Sequence, residues 1–188
     1  NGTYKRAHEW IFPDAKTITS LSCINTVKSP LLFISTSDRK LHILDSARGT
    51  VSRVINAPHE KSIHCISLPK PSIYAQLDQS SYNIFATSSM DNTILVWDIR
   101  APTVACRYSG HVNRREPVRC ALSPCLRYLG CGSEDKTARL VDLRTGEELQ
   151  RYTGARDVVS DVAFHPITAQ LATCSYDSTI KFYCSTDN

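Results

Sequence analysis

With 188 residues, 41% of them hydrophobic and 21% charged, the chain has the composition of a globular domain or of part of a larger one, which excludes a disordered or fibrous class. A net charge of +4, with a pI near 8.6, is spread along the chain and argues against a dedicated nucleic-acid surface. No run approaches the ~20 apolar residues of a membrane span, and no charged-then-apolar leader opens the chain. It begins with Asn1 and Gly2 in place of Met, so the chain is expected to be a piece of a longer protein, with any targeting segment outside it.

Short β-branched or apolar runs, broken by Gly, Pro, Asn and Ser, predict strands from one end to the other, and no amphipathic helix is evident. The first unit gives strands over 18–24, 31–37, 40–45 and 50–55. The second gives 63–68, 83–89, 93–98 and 103–108, with an extended loop at 69–83. The third gives 118–122, 128–133, 137–142 and 147–152, and the fourth only three, at 158–164, 170–175 and 179–184. We label the strands of a unit a to d. Each b–c turn carries an aspartate: Asp38, Asp91, Asp135 and Asp177, spaced 53, 44 and 42 residues apart. A period near ~40–45 with four short strands per unit is that of a propeller blade. The expected fold class is therefore all-β, a propeller of four blades per chain, with repeats over 13–55, 56–108, 109–152 and 153–188.

These four registered copies, with Trp97-Asp98 and Gly110-His111, resemble the WD-repeat β-propellers over nearly the whole chain. The resemblance implies a buried network of His, Ser or Thr, Asp and Trp in each blade. The second repeat matches at His59, Ser89, Asp91 and Trp97. The third keeps His111, Ser133 and Asp135, with Val141 for Trp. The fourth keeps Ser175 and Asp177, with Ala155 and Tyr183 in the other places. The first keeps Thr36 and Asp38, with Asp14 and Leu44. A recurring Ser-His-Asp trio fits architecture better than one active site, and no nucleophile elbow, phosphate loop or metal motif accompanies it. No catalytic, cofactor or metal residue is expected. The eight cysteines lack C-x-x-C spacing and fall in apolar strands, as reduced core thiols of an intracellular protein do, cytoplasmic or nuclear.

The fourth unit lacks a strand d, while residues 3–12 have the length of one and no blade of their own. The resemblance implies closure by pairing of one terminal segment with the blade from the other end. Rings of this family usually have seven or eight blades, so the half-ring is expected to be completed by the rest of a longer protein or by a second copy, in a homodimer exchanging the N-terminal strand.

The resemblance also places the d–a loops and b–c turns on one partner-binding face. Candidate contacts there are Lys61, Met90, Arg114, Arg115, Glu134, Arg156 and Tyr176, with Arg39 and Lys136 beside them; clustered Arg suits an acidic peptide or phosphopeptide. Trp97-Asp98-Ile99-Arg100 looks like the WDxR box of cullin–RING ligase substrate receptors, in which Asp98 and Arg100 would touch the adaptor. An arginine that merely caps the c–d turn is the competing reading. The expected function is a non-catalytic scaffold for protein or peptide partners. The ligase receptor and a basic nucleic-acid surface are the alternatives.

Overall fold

The computed structural model describes residues 5–23, 30–70, 83–101 and 103–184. The expected a–b loop at 69–83 and residues 3–4 of the N-terminal segment lie largely or wholly outside them. Fifteen strands alternate along the described chain. The first sheet holds β1 (Ile18–Cys23), β2 (Leu31–Thr36), β3 (Leu41–Asp45) and β4 (Thr50–Ile55). The second holds β5 (Ile63–Ser67), β6 (Ile84–Ser89), β7 (Thr93–Asp98) and β8 (Val104–Tyr108). The third holds β9 (Cys120–Leu122), β10 (Tyr128–Cys131), β11 (Ala138–Asp142) and β12 (Glu148–Tyr152). The fourth has β13 (Val159–Phe164), β14 (Gln170–Ser175) and β15 (Ile180–Cys184) and, among the described residues, no outer strand. Every sheet is an antiparallel meander in chain order, the arrangement that short hairpin loops allow.

The sheets stack face to face, each against its sequence neighbour. Phe33, Leu41 and Ile43 of the first sheet meet Ile63, Phe85, Leu95 and Trp97 of the second in one apolar core. Ala86, Ile94 and Val96 of the second meet Cys120, Leu129, Cys131 and Val141 of the third in another. Alternating burial supplies both faces, because a strand between two neighbours has no wet side. Each junction is also stitched where strand b faces the inner strand of the next sheet. Ser35 Oγ donates to the Ile63 carbonyl at 3.3 Å, and Ser88 Oγ to the Val118 carbonyl at 3.0 Å. At the third junction Gly132 stands in the same place, and a Cβ there would overlap the Val159 carbonyl oxygen.

Two local expectations give way. Strand 118–122 shortens to Cys120–Leu122, since Pro117 has no N–H and the Arg119 N–H bonds to Ser160 O of the next sheet at 2.9 Å. Residues 5–12 form no strand within the chain and do not join β15. They lie against the first sheet instead: Phe12 stacks on His42 (centroids 4.5 Å apart), and His8 sits so close to Gly49 that a Cβ there would lie 2.5 Å from its Nδ1.

Candidate functional site

Each turn aspartate precedes a non-glycine residue of positive φ: Arg39 (66°), Asn92 (62°), Lys136 (66°) and Ser178 (65°). Such a backbone is unfavourable for L-residues unless a local hydrogen bond compensates. The aspartate supplies it. Asp91 accepts from the Thr93 N–H at 2.9 Å and Oγ1 at 2.6 Å, and Asp177 from the Thr179 N–H at 3.0 Å and Oγ1 at 2.5 Å. Asp135 takes the Thr137 hydroxyl at 2.5 Å. In the first sheet the Thr36 hydroxyl donates to Asp38 at 2.5 Å, while Lys40 bridges Asp38 and Asp14 at 2.9 and 3.0 Å.

In the second sheet the buried polar groups form a relay. The Trp97 indole N–H donates to Thr87 Oγ1 at 2.9 Å, and Thr87 meets His59 Nε2 at 2.9 Å. His59 Nδ1 faces Asp91 at 3.0 Å. With the proton assigned to Nδ1, each group donates one bond toward Asp91, which also accepts the Glu60 N–H at 2.9 Å. Burial pushes the Asp91 carboxyl up, but the bonds from His59 and Thr93 outweigh it and hold the group well below the usual carboxylate range.

Thr87, not Ser89, is the hydroxyl of this relay. Phe85 is the register partner of Trp97, so Thr87 stands one pleat step along the same face. Ser89 is about 7 Å farther on, where it donates to the carbonyls of Lys61 and Ser62 at 3.0 and 3.1 Å. Strand alternation applied to Thr87-Ser88-Ser89 could have found this.

The third sheet does not assemble its trio. Ser133 Oγ accepts the Val112 N–H at 2.9 Å, and among the described residues His111 has no hydrogen-bond partner at either nitrogen. Three replacements explain it: Cys131 stands where Thr87 does, Val141 where Trp97 does, and Arg139 where Leu95 does. Arg139, only 5% exposed, pairs with Asp135 and, at 2.9 Å, with Glu148, which also accepts the Tyr108 hydroxyl. Tyr108 stacks on His111 with centroids 5.8 Å apart. Burial above all, and then the Arg139 charge, pushes His111 down to about 4.

In the fourth sheet Ser175 Oγ donates to Asp157 O at 3.0 Å. The Thr179 hydroxyl and then the Arg156 N–H hold Asp177 down, to about 2. Ser89 and Ser133 are fully buried, so neither offers an Oγ to a substrate.

Above these turns lies a rim of loops. Asn92 Oδ1 takes the Asn113 N–H at 2.8 Å, and Lys61 Nζ reaches Arg114 O at 3.4 Å, so b–c turns and the loops entering each sheet interlock. Glu134 is spent inward: its carboxylate caps the N–H groups of Arg114, Arg115 and Glu116. Met90 is half-buried and Tyr176 exposed. Arg39, Lys61, Arg114, Arg115, Lys136 and Arg156 are all exposed, and among the described residues none pairs with a carboxylate. Glu60, Glu116 and Asp157 are exposed on the same rim. Arg100 folds back onto Asp98, with Nη2 at 2.6 Å and Nε at 3.0 Å, and so caps its own c–d turn.

The same turns and strands are found in known proteins. A family model described as WD domain, G-beta repeat, matches residues 50–98, 103–142 and 146–184. The chain is similar to a guanine nucleotide-binding protein subunit beta of Zea mays, 34% identical over 110 residues, which are 54% of this chain and 28% of that protein. It is 30% identical over 88 residues to mouse Jouberin (Mus musculus), covering 46% of this chain and 8% of that one. Coatomer subunit beta'-1 of Arabidopsis thaliana is 33% identical over 84 residues, 45% of this chain and 9% of that one. The chain thus spans well under a third of these relatives. Among solved structures, a chain of the crystal structure of a mitotic checkpoint complex superposes with a TM-score of 0.71 at 18% identity, over 88% of this chain and 47% of that one. With strand meanders, turn aspartates and family model in agreement over most of its length, the chain belongs to the WD-repeat family and has the fold of a β-propeller segment.

Proposed function

We propose that this chain is a non-catalytic protein-interaction scaffold of the cell interior whose rim receives an acidic or phosphorylated segment of a partner protein. The observation that carries the reading is the set of six exposed, unpaired cations on one rim, held by turns whose aspartates are all engaged inward. A rigid support lowers the ordering cost of binding, and guanidinium groups match carboxylate and phosphate geometry. Similarity to a G-protein beta subunit and to a chain of the checkpoint complex, one named as a subunit and the other solved within a complex, supports a protein partner. The ligase-adaptor alternative has less behind it, because Arg100 is engaged by Asp98. A nucleic-acid surface would show as steep salt dependence of retention on DNA.

The test is binding of an array of Glu-rich and phosphoserine peptides to the wild type and to Arg114→Glu/Arg115→Glu/Arg156→Glu. Capture should fall at least about tenfold in the triple variant, the equivalent of about 1.4 kcal/mol. Equal capture by both proteins refutes the assignment.

A further inference from the structure

The repeat identifies which side chains belong at a sheet-to-sheet junction, and two sets of them stand open. Ile63, Val118 and Val159 open the inner strands of the second, third and fourth units and are 0%, 0% and 3% exposed; Ile18, in the same place on β1, is 57% exposed. At the other end Leu41 and Ile94, the register partners of Ser35 and Ser88, are fully buried, whereas Ile180, the partner of Cys174, is 67% exposed. Ile43 and Val96, two residues farther along, are 1% and 6% exposed, and their counterpart Phe182 is 74%. The first sheet therefore offers the face that a preceding sheet would cover, and the last sheet the face that a following sheet would cover. Both are apolar: β1 reads ITSLSC, and β15 reads IKFYC with Lys181 on the opposite face from Ile180 and Phe182. Asp161, the register partner of Cys174, puts one carboxylate on that second face, and Arg119 pairs with it at 3.6 Å, so a covering sheet meets an ion pair there and not a lone charge.

The backbone shows the same complementarity. The outer edge of β15 has no neighbour among the described residues, while β3, β7 and β11 are each covered by an outer strand. A groove of about 910 Å³ opens beside that edge, lined by Tyr128, Tyr152, Phe164, Leu171 and Tyr183. Residues 5–12 belong to no helix or strand, and among the described residues no backbone-to-backbone hydrogen bond reaches residues 5–11. His8 and Phe12 lie on the first sheet, and Ile11 points away, 79% exposed. The segment is held to the first sheet by side chains, and its backbone hydrogen-bonding groups are unspent among the described residues.

From this we infer that a second copy of this chain is the occupant: two chains close head to tail about a two-fold axis, the first sheet of each seating on the last sheet of the other. Residues 5–12 then pair with the partner copy's β15, and eight sheets complete the ring. Sheet spacing gives each open face a flat area of about 300 Å². Four such faces come to about 1,200 Å², above the ~1,000 Å² that a specific interface needs.

Light scattering on the 188-residue chain at about 50 μM tests this. The expected mass is twice 21.0 kDa. A monomer means that other sheets, such as those of a longer polypeptide, cover the faces; a larger or open-ended assembly means that the two-fold closure is wrong. Either result overturns the inference. Phe182→Lys should give a folded monomer. So should one of His8→Pro and Glu9→Pro, since whichever of the two faces β15 loses an N–H that has no acceptor among the described residues. A dimer that survives all three substitutions, with circular dichroism unchanged, also overturns it. The rim cations play no part here, so this result and the peptide-binding result stand or fall separately.

Discussion

The second and third sheets have the same meander, the same turn and the same His, Ser and Asp in sequence, yet only the second forms the hydrogen-bonded relay. Thr87 in one becomes Cys131 in the other, and the imidazole loses its acceptor-side partner. Leu95 becomes Arg139, and the turn aspartate gains a guanidinium that outbids the imidazole. A motif residue is therefore a candidate for a network, and the strand opposite decides whether it joins. The third sheet replaces a neutral chain ending in one carboxylate with an ion cluster in which the buried Arg139 meets the partly exposed carboxylates of Asp135 and Glu148.

The comparison can be broken most forcefully at Arg139. Arg139→Met removes the guanidinium partner of two carboxylates that water partly reaches and should cost about 3 kcal/mol in urea unfolding, the low end of the range for breaking a buried ion pair. Asp91→Ala, its counterpart in the second sheet, leaves the His59, Thr93 and Glu60 donors without an acceptor and should cost about 3 kcal/mol. A melt showing no loss for either variant would remove that cluster from the account of stability.

Acid should separate the two sheets next. His111 ionises at about 4 in the folded chain against 6.5 when free. Between those values the unfolded chain binds the additional proton, so stability rises with pH through this window and is lost as pH falls. The loss contributed by His111 is about 3 kcal/mol once pH reaches 4. His111→Phe should flatten this limb in urea melts at pH 7, 5.5 and 4.5, and an unchanged slope would show that His111 is not its source. The smallest change is a repair. Cys131→Thr restores a hydroxyl where Thr87 has one, is nearly isosteric, and should gain about 1 kcal/mol, read as a rise of about 3 °C in Tm.

The turn aspartates and the strands around them were legible because their physical signals are local: alternation, β-branching and a hydrogen-bonded turn every forty-odd residues. The partnership between hydroxyl and indole was less so. Ser89 is the nearer residue to Asp91 in sequence, but the pleat carries Thr87 to Trp97. Arg139 was invisible as a network member, since an arginine in a strand reads as solvent-facing until Glu148 and Asp135 are seen on either side of it. The early end of β9 was hidden for a related reason: the Arg119 N–H bonds into the following sheet, a contact no single unit reveals.

Gly132 carries a last consequence. At the first two junctions a serine hydroxyl acts as a shim between sheets, and a residue of similar size could be exchanged there without changing the gap. At the third there is nothing to trim, because main chain already touches main chain. Any side chain at 132 would act as a wedge and splay the fourth sheet from the third. The curvature with which the circle continues past residue 159 thus depends on one missing methyl group.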